Sequence, residues 1–547
     1  MRKRVHYICL FIFGIILLSI SATYAQQKVD TTTQPGTGQL LEFLKADRNN
    51  IKKIDSNQFI SYAGNVKIKQ GKTLFYADSA VVNPVTNIFE AFGNIHINDA
   101  DSVHTYAQYL KYLAKEKQAF LKKKVRLTDG KSTLTTDELE YDVTVKIGTY
   151  LKGGKVVNEK TTLTSTEGYY YGDTRDIIFK RKVRLVNPDY KIDTDTLQYN
   201  TDTEITTFTS PTTIRNDKKL VIKTRSGFYD LKNKRAELYK RPVIDDSTYT
   251  MTADDMALDS ISGLSEFRGN AVYRGKDSAK GFDLIANNIK TNNKKNSLLA
   301  TQSPLLLLKQ ARDSIYIAAD TFYSAKLSDL LKIKNVPRVR DSVDFTFLPD
   351  STKEDSTDKY FEAYYNVKIF SDSMQSVGDS LFYALKDSVF RLFKSPVVWA
   401  QSNQVTGDTI YMYLKKSKPE RLYVFENAMA LSQVDSTIYF NQVKGNTINA
   451  YFDTTGQIHF LRSKGNSENV YYATDEGGNF IGVNKNSSDV VEIRFADGKA
   501  KRVLLINGVD GTMYPMRKVN HEELKLRNFK WMDDRRPKSR YDILSSQ

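Results

Sequence analysis

Apolar and charged residues alternate one for one in short runs along most of the chain, as in Val125-Arg126-Leu127 and Val183-Arg184-Leu185. Successive side chains on a strand point to opposite faces, so a period of two marks strands with one buried and one wet face. Thr, Tyr, Val, Ile and Phe dominate these runs, as suits strands. Gly-Asn, Asn-Pro and Asp-Gly pairs punctuate them. Helical periodicity is clear only near the N-terminus. Leu40 to Leu44 fits either a short helical turn or a first strand.

The runs recur. Ala63-Gly64-Asn65-Val66-Lys67-Ile68 and Phe92-Gly93-Asn94-Ile95-His96-Ile97 lie 29 residues apart. Lys124-Val125-Arg126-Leu127, Gly154-Lys155-Val156-Val157 and Lys182-Val183-Arg184-Leu185 follow at similar spacing. Asn366-Val367-Lys368-Ile369 and Glu426-Asn427-Ala428-Met429 are later copies. A second element sits between them, for example Leu134 to Asp142 and Ile192 to Asn200. Two short strands cannot bury an apolar face alone, but stacked repeats can. The expected fold is all-β, an elongated stack of antiparallel strands, about two dozen in number. A dozen layers at the strand spacing gives a body of roughly 58 Å.

The repeat sets the domain boundaries. Residues 41–325 form a first repeat region and 360–514 a second, with its last strand expected near Ile458 to Leu461. Residues 326–359, with Val336-Pro337-Arg338 and the Asp- and Ser-rich run 350–358, read as a charged insertion or linker. Residues 515–547 are polar and charged and read as a flexible tail or a docking segment.

The N-terminus sets the compartment. Arg2, Lys3 and Arg4 precede an apolar run from Ile8 to Leu18, and Thr23-Tyr24-Ala25 offers small residues to a signal peptidase. Residues 1–25 therefore read as a secretory signal peptide, and 26–40 as a polar tether. The apolar run is short for a membrane span, which needs about 20 residues. The single cysteine, Cys9, leaves with the signal, so disulfides and thiol chemistry are excluded from the mature chain. The formal charge is +16, and residues 1–25 carry three bases and no acid, leaving +13. Such a surface favours anionic partners, and in an exported protein nucleic acid is not among them. The same charges would also guard strand edges.

Little catalytic chemistry is visible. His96, His104, His459 and His521 have no metal-ligand spacing, and His96 alternates out of phase with Ile95 and Ile97, toward solvent. No Gly-x-Ser-x-Gly, phosphate loop or His-Glu-x-x-His occurs. Carboxylates recur as Asp99 and Asp101, Asp193 and Asp195, Asp254 and Asp255. Acids that repeat with the fold are more often turn or strand-end devices than one active site. The 33 Tyr and 28 Phe fit cross-strand pairs and core, and Trp399, beside two valines, should pack inward. The chain reads as non-enzymatic and free of cofactors or metal.

The repeated Gly-Asn-Val-Lys-Ile motif, followed by Tyr76-Ala77-Asp78-Ser79-Ala80 or Thr135-Thr136-Asp137-Glu138-Leu139, resembles the OstA/LptA family. Val377 to Leu381, Ser395 to Trp399 and Gln404 to Thr409 extend the likeness to the long OstA-like proteins of the Bacteroidetes group. The resemblance implies a β-jellyroll or β-taco whose apolar groove holds lipopolysaccharide acyl chains. It implies a periplasmic carrier or bridge that serves the outer membrane. Its partners would be lipopolysaccharide and other transport proteins joined by strand-edge pairing, with head-to-tail self-association. By alternation the groove face would include Val66, Ile68, Ile95, Ile97, Val125, Leu127, Val183, Leu185, Val367 and Ile369. The alternative from a different class is a structural or glycan-binding exported β-solenoid with a solid core.

Overall fold

The computed structural model describes residues 41–544, apart from 217–218, 278–280, 311–313, 335–357, 416–417, 435–437, 476 and 497–498. The expected signal peptide and tether, and most of the 326–359 insertion, lie outside the described residues. Strand is the dominant element of the described residues. Forty strand segments join into twenty-eight passes of the chain, sixteen unbroken and twelve split in two near mid-length. The expectation of about two dozen strands corresponds to these passes. Each pass pairs antiparallel with the passes before and after it, so the sheet is a meander from first strand to last. Glu42–Lys45 is a strand, as one of the two expectations for this stretch had it; Leu40 lies outside the described residues.

One dimension needs correcting. The 58 Å estimate counted one layer per repeat. In the structure both strands of a repeat are separate rungs of one sheet, so twenty-eight passes stack to about 130 Å.

Every pass bends at its middle. The pairing register slips between Ala63 and Val66, Phe92 and Ile95, Lys122 and Val125, and Lys180 and Val183. Two residues on one strand stand against one on the next, a bulge that kinks the strand. Both bulge residues take positive φ, as Gly93 (75°) and Asn94 (38°) do. The left-handed region costs a residue with a Cβ about 1–2 kcal/mol, which glycine avoids and asparagine offsets by bonding locally. Asn94 Nδ2 donates to Asp78 Oδ2 of the preceding pass at 2.9 Å. Asn65 to Asp47, Asn270 to Asp254, Asn366 to Asp320 and Asn427 to Asp408 repeat the bond at 2.9–3.0 Å. The Gly-Asn pairs are thus mid-strand bends, where the sequence pattern had suggested breaks between strands.

The aligned bends fold the sheet lengthwise into two leaves. Residues 88–92 lie in the first leaf and 95–99 in the second, and successive passes cross the crease in alternating directions. The closure is visible at the far side. Tyr112 hydrogen-bonds Gln70, and its ring lies 5.1 Å from Phe75. In a flat sheet these residues would sit at opposite ends of passes about 36 Å long.

Two segments cover outer faces. The helix Leu327–Ile333, which the sequence pattern did not indicate, packs Leu327 and Leu330 on Tyr360, Phe382 and Ala384 outside the first leaf. The C-terminal segment docks on its own body and runs back along the outside of the second leaf. Leu524 and Leu526 pack on Met429, Leu431, Val470 and Tyr472; Met532 packs on Trp399; Ile543 reaches Leu305 and Phe370. Buried glutamines anchor it. Gln442 Oε1 accepts from Leu526 N (2.9 Å) and Gln404 Oε1 from Met532 N (2.7 Å). Gln375 Oε1 accepts from Arg536 Nε (2.8 Å). The described part of the expected tail, residues 515–544, lies docked on the body. Trp399 is fully buried, but beneath this strap and outside the seam between the leaves. Strand Ile458–Thr474 is paired on both sides, so the terminal edge lies further on, at Lys499–Ile506 and Asp510–Tyr514.

Candidate functional site

The two leaves enclose one apolar seam. All ten residues expected on a groove face point into it, none more than 9 % exposed, in a single cluster that extends from Val66 to Ile493. Strand register explains why they meet. Ile68 stands opposite Phe75, Phe75 opposite Ile97, and Thr105 opposite both Ile97 and Leu127. The same row continues through Leu134, Val156, Leu163, Leu185 and Ile192. It reaches Leu306, Ile317 and Ile369 in the second half of the chain. Val66, Ile95, Val125, Val183 and Val367 form the neighbouring row beside the crease. There hydroxyls satisfy backbone carbonyls, as Thr136 Oγ1 does for Gly153 O at 2.7 Å.

The row changes character near its C-terminal end. After Val398, Val405, Ala430 and Val443 it passes to Asn469, Asn486 and Gly511. Asn469 and Asn486 are buried and lie beside each other. The seam is therefore closed by amides there, a feature the alternation pattern did not reveal.

The opposite leaf carries a tyrosine ladder that sequence reasoning missed. Tyr112, Tyr141, Tyr170, Tyr199 and Tyr229 occupy one row on alternate passes. Ala119, Gly148, Ile177 and Thr206 fill the passes between. The spacing of 29 or 30 residues was the available signal. Each phenol sits at the edge of the seam away from the crease. Burial pushes Tyr112, Tyr170 and Tyr199 up to about 12. Hydroxyls tie the leaves together: Asn158 Nδ2 donates to Tyr199 Oη at 2.8 Å, and Tyr150 and Ser165 share a bond of 2.7 Å. Tyr141 Oη and Ser132 Oγ are buried without a partner.

The seam residues are buried against one another. Beside Leu127, Ser132, Leu134, Tyr150 and Val156 the cavity measures about 20 Å³, room for about one water. A larger cavity of about 300 Å³ lies outside the seam, between the helix Leu327–Ile333 and Glu362, Tyr364, Phe382 and Phe393.

The remaining candidates disperse. His96 faces outward, stacked between Tyr76 and Tyr106 and bonded to His104 at 3.1 Å. The recurring acids take separate structural partners: Asp99 accepts from Thr73, Asp193 from Arg215, and Asp254 from Asn270 and Arg241. Among the described residues no group of three or more His, Cys, Asp or Glu could hold a metal ion, and no helix is long and apolar enough to cross a membrane.

Comparison with known proteins gives one family match. Residues 39–195 match the family described as OstA-like protein. No curated protein matches. Among solved structures, the chain is similar to LptH from Pseudomonas aeruginosa, described as the LptA homologous periplasmic component of the conserved lipopolysaccharide transport device. The identity is 14 %, the match covers 31 % of this chain and 78 % of that one, and the TM-score is 0.13.

Proposed function

Since residues 39–195 are OstA-like, we propose that this chain is a non-catalytic lipopolysaccharide carrier or bridge of the periplasm that holds acyl chains along its seam. The observation that carries the reading is the in-register row, apolar at most passes with Thr105 and Ser376 among the exceptions, which runs through the OstA-like segment and beyond it to Val443. Loading requires the leaves to part at the edge away from the crease. Few polar ties resist this, each worth about 1 kcal/mol net. Every buried CH₂ contributes about 0.8 kcal/mol, so one acyl chain of a dozen carbons outweighs several clasps. Phenols and hydroxyls at that edge would meet the polar head, and the amides at Asn469 and Asn486 would stop the chains short of the C-terminal end.

Among the described residues, the strands at both ends of the meander, Arg48–Ile54 and Lys499–Ile506, pair on one side only, with Ile51 and Leu504 exposed. Such edges accept added strands, which suits other transport proteins or a second copy of this chain. Leu504→Pro should weaken cross-linking to partners and leave the body folded; unchanged cross-linking would refute edge pairing.

The small cavity beside Leu127 and Leu134 favours the second reading, a structural β-solenoid without lipid. Photo-crosslinkers at positions 66, 95, 125 and 183, against controls at 67, 96, 126 and 184, separate the two in living cells. Lipopolysaccharide adducts confined to the first set support the carrier. No adduct from either set, with lipopolysaccharide export intact after depletion of the protein, sinks it.

A further inference from the structure

We propose that the crease itself is a docking surface for an anionic lipid bilayer. In three passes the bend is made by basic pairs instead of Gly-Asn: Lys123-Lys124, Arg181-Lys182 and Lys240-Arg241. All six residues are exposed and all six hold positive φ, between 53° and 63°. This is backbone that glycine and asparagine occupy with less strain, and the same fold uses Gly-Asn at 64–65, 93–94 and 269–270. Other bends hold the same left-handed backbone with Gln302-Ser303, Lys394-Ser395 and Glu426-Asn427, so the bend does not itself require bases, and the six cations at these three bends are available for another role.

The placement is regular. The three pairs lie four passes apart, about 19 Å each, on a convex ridge about 38 Å long. Arg181 pairs with Glu167 and Arg241 with Asp254. Lys123, Lys124, Lys182 and Lys240 make no ion pair among the described residues. Between the first two pairs, Leu151 stands 55 % exposed at the same bend, beside Lys152.

The shape selects the partner. The ridge also carries the exposed Asp137 and Asp195 on the passes next to the first two pairs, so the pairs are separate cationic points on flexible stems, with no pocket to orient a defined phosphate but with reach toward a plane of mobile headgroups. Mobile anionic headgroups can gather beneath them, and an exposed leucine among bases suits the headgroup boundary. Contact through the crease leaves the opposite edge, where the leaves would part, free.

The test is flotation of the full chain with vesicles of phosphatidylcholine alone and vesicles in which a third is phosphatidylglycerol. Binding is expected only to the anionic vesicles and should fall with added salt. The double variant Lys123→Gly/Lys124→Asn restores the pair used elsewhere in the fold, so it should fold at least as well, which circular dichroism checks. It should partition about thirtyfold more weakly, at about fivefold per lysine. Leu151→Ser should weaken partition with an unchanged salt slope. Equal binding to both vesicle types, an unaltered double variant, or binding to heparin without binding to anionic vesicles would each overturn the proposal.

Discussion

Val125→Glu tests whether the seam is a dry core in the unloaded protein. Val125 is 1 % exposed, between the leaves and opposite Thr136. Losing its buried surface costs about 1.5–3 kcal/mol. An unpaired buried carboxylate costs more, but the group can take up a proton, which caps that part. From an unfolded pKa near 4.3, protonation at pH 7 costs about 3.7 kcal/mol. The total at pH 7 is then about 6 kcal/mol. The sign follows from linkage: burial raises the folded pKa, so the folded variant binds more protons than the unfolded one. Its extra instability is therefore largest above the raised pKa and shrinks as pH falls toward 4.3, to about 2 kcal/mol.

Guanidinium unfolding followed by circular dichroism at pH 7 and pH 4.5 measures both values. Arg126→Glu, one residue along and facing outward, is the control. It loses a stack 4.2 Å from the Tyr106 ring, worth about 0.5–1 kcal/mol. A loss below about 1 kcal/mol for Val125→Glu, with no dependence on pH, would mean that position 125 already faces water. The packing argument for a closed seam would then be wrong.

Asn94→Ala removes the bond to Asp78 and leaves a left-handed alanine, so it should cost about 2 kcal/mol in the same assay, while Lys115→Ala in an exposed turn should cost little. Gln404→Leu unpairs buried backbone groups of the strap at Lys530 and Met532, so trypsin should cut after Arg527 and Lys530 earlier than in the parent, with 41–325 unaffected; an unchanged digest would contradict strap docking. The ladder tyrosines have folded pKa values raised by burial, to about 12 for Tyr112, Tyr170 and Tyr199. Their contribution to stability is complete below pH 10 and is lost as pH rises toward 12. Thermal midpoints should hold to about pH 10 and then fall, with phenolate absorbance rising at unfolding and not before.

The two-residue period was enough to place both the strands and the faces they bury. Val125 and Leu127 are inward and Arg126 outward because alternation on a pleated strand has no other reading once one face is dry. What alternation could not carry was the bend. Gly64-Asn65 and Gly93-Asn94 use residues that terminate strands elsewhere, and only pairing register distinguishes a break from a mid-strand bulge. Because the bend was unread, the two halves of each pass looked like separate short elements, and the body came out less than half its length.

The same gap hid the rows that depend on distant partners. Tyr112 and Tyr141 are unremarkable aromatic strand residues until register places them in one line opposite the seam's second wall. The strap was hidden for a different reason. Leu524, Leu526 and Met532 are spaced among charged residues without a strand or helix period, because they follow an irregular path set by sockets on another surface. Those sockets, Gln375, Gln404 and Gln442, sit on the outward face, where a polar residue is what alternation leads one to expect. Their burial comes from the segment that covers them. Local pattern therefore reports what a strand does for its own sheet. The crease, the tyrosine ladder and the strap are made by relations between passes, and these become legible only when register is known.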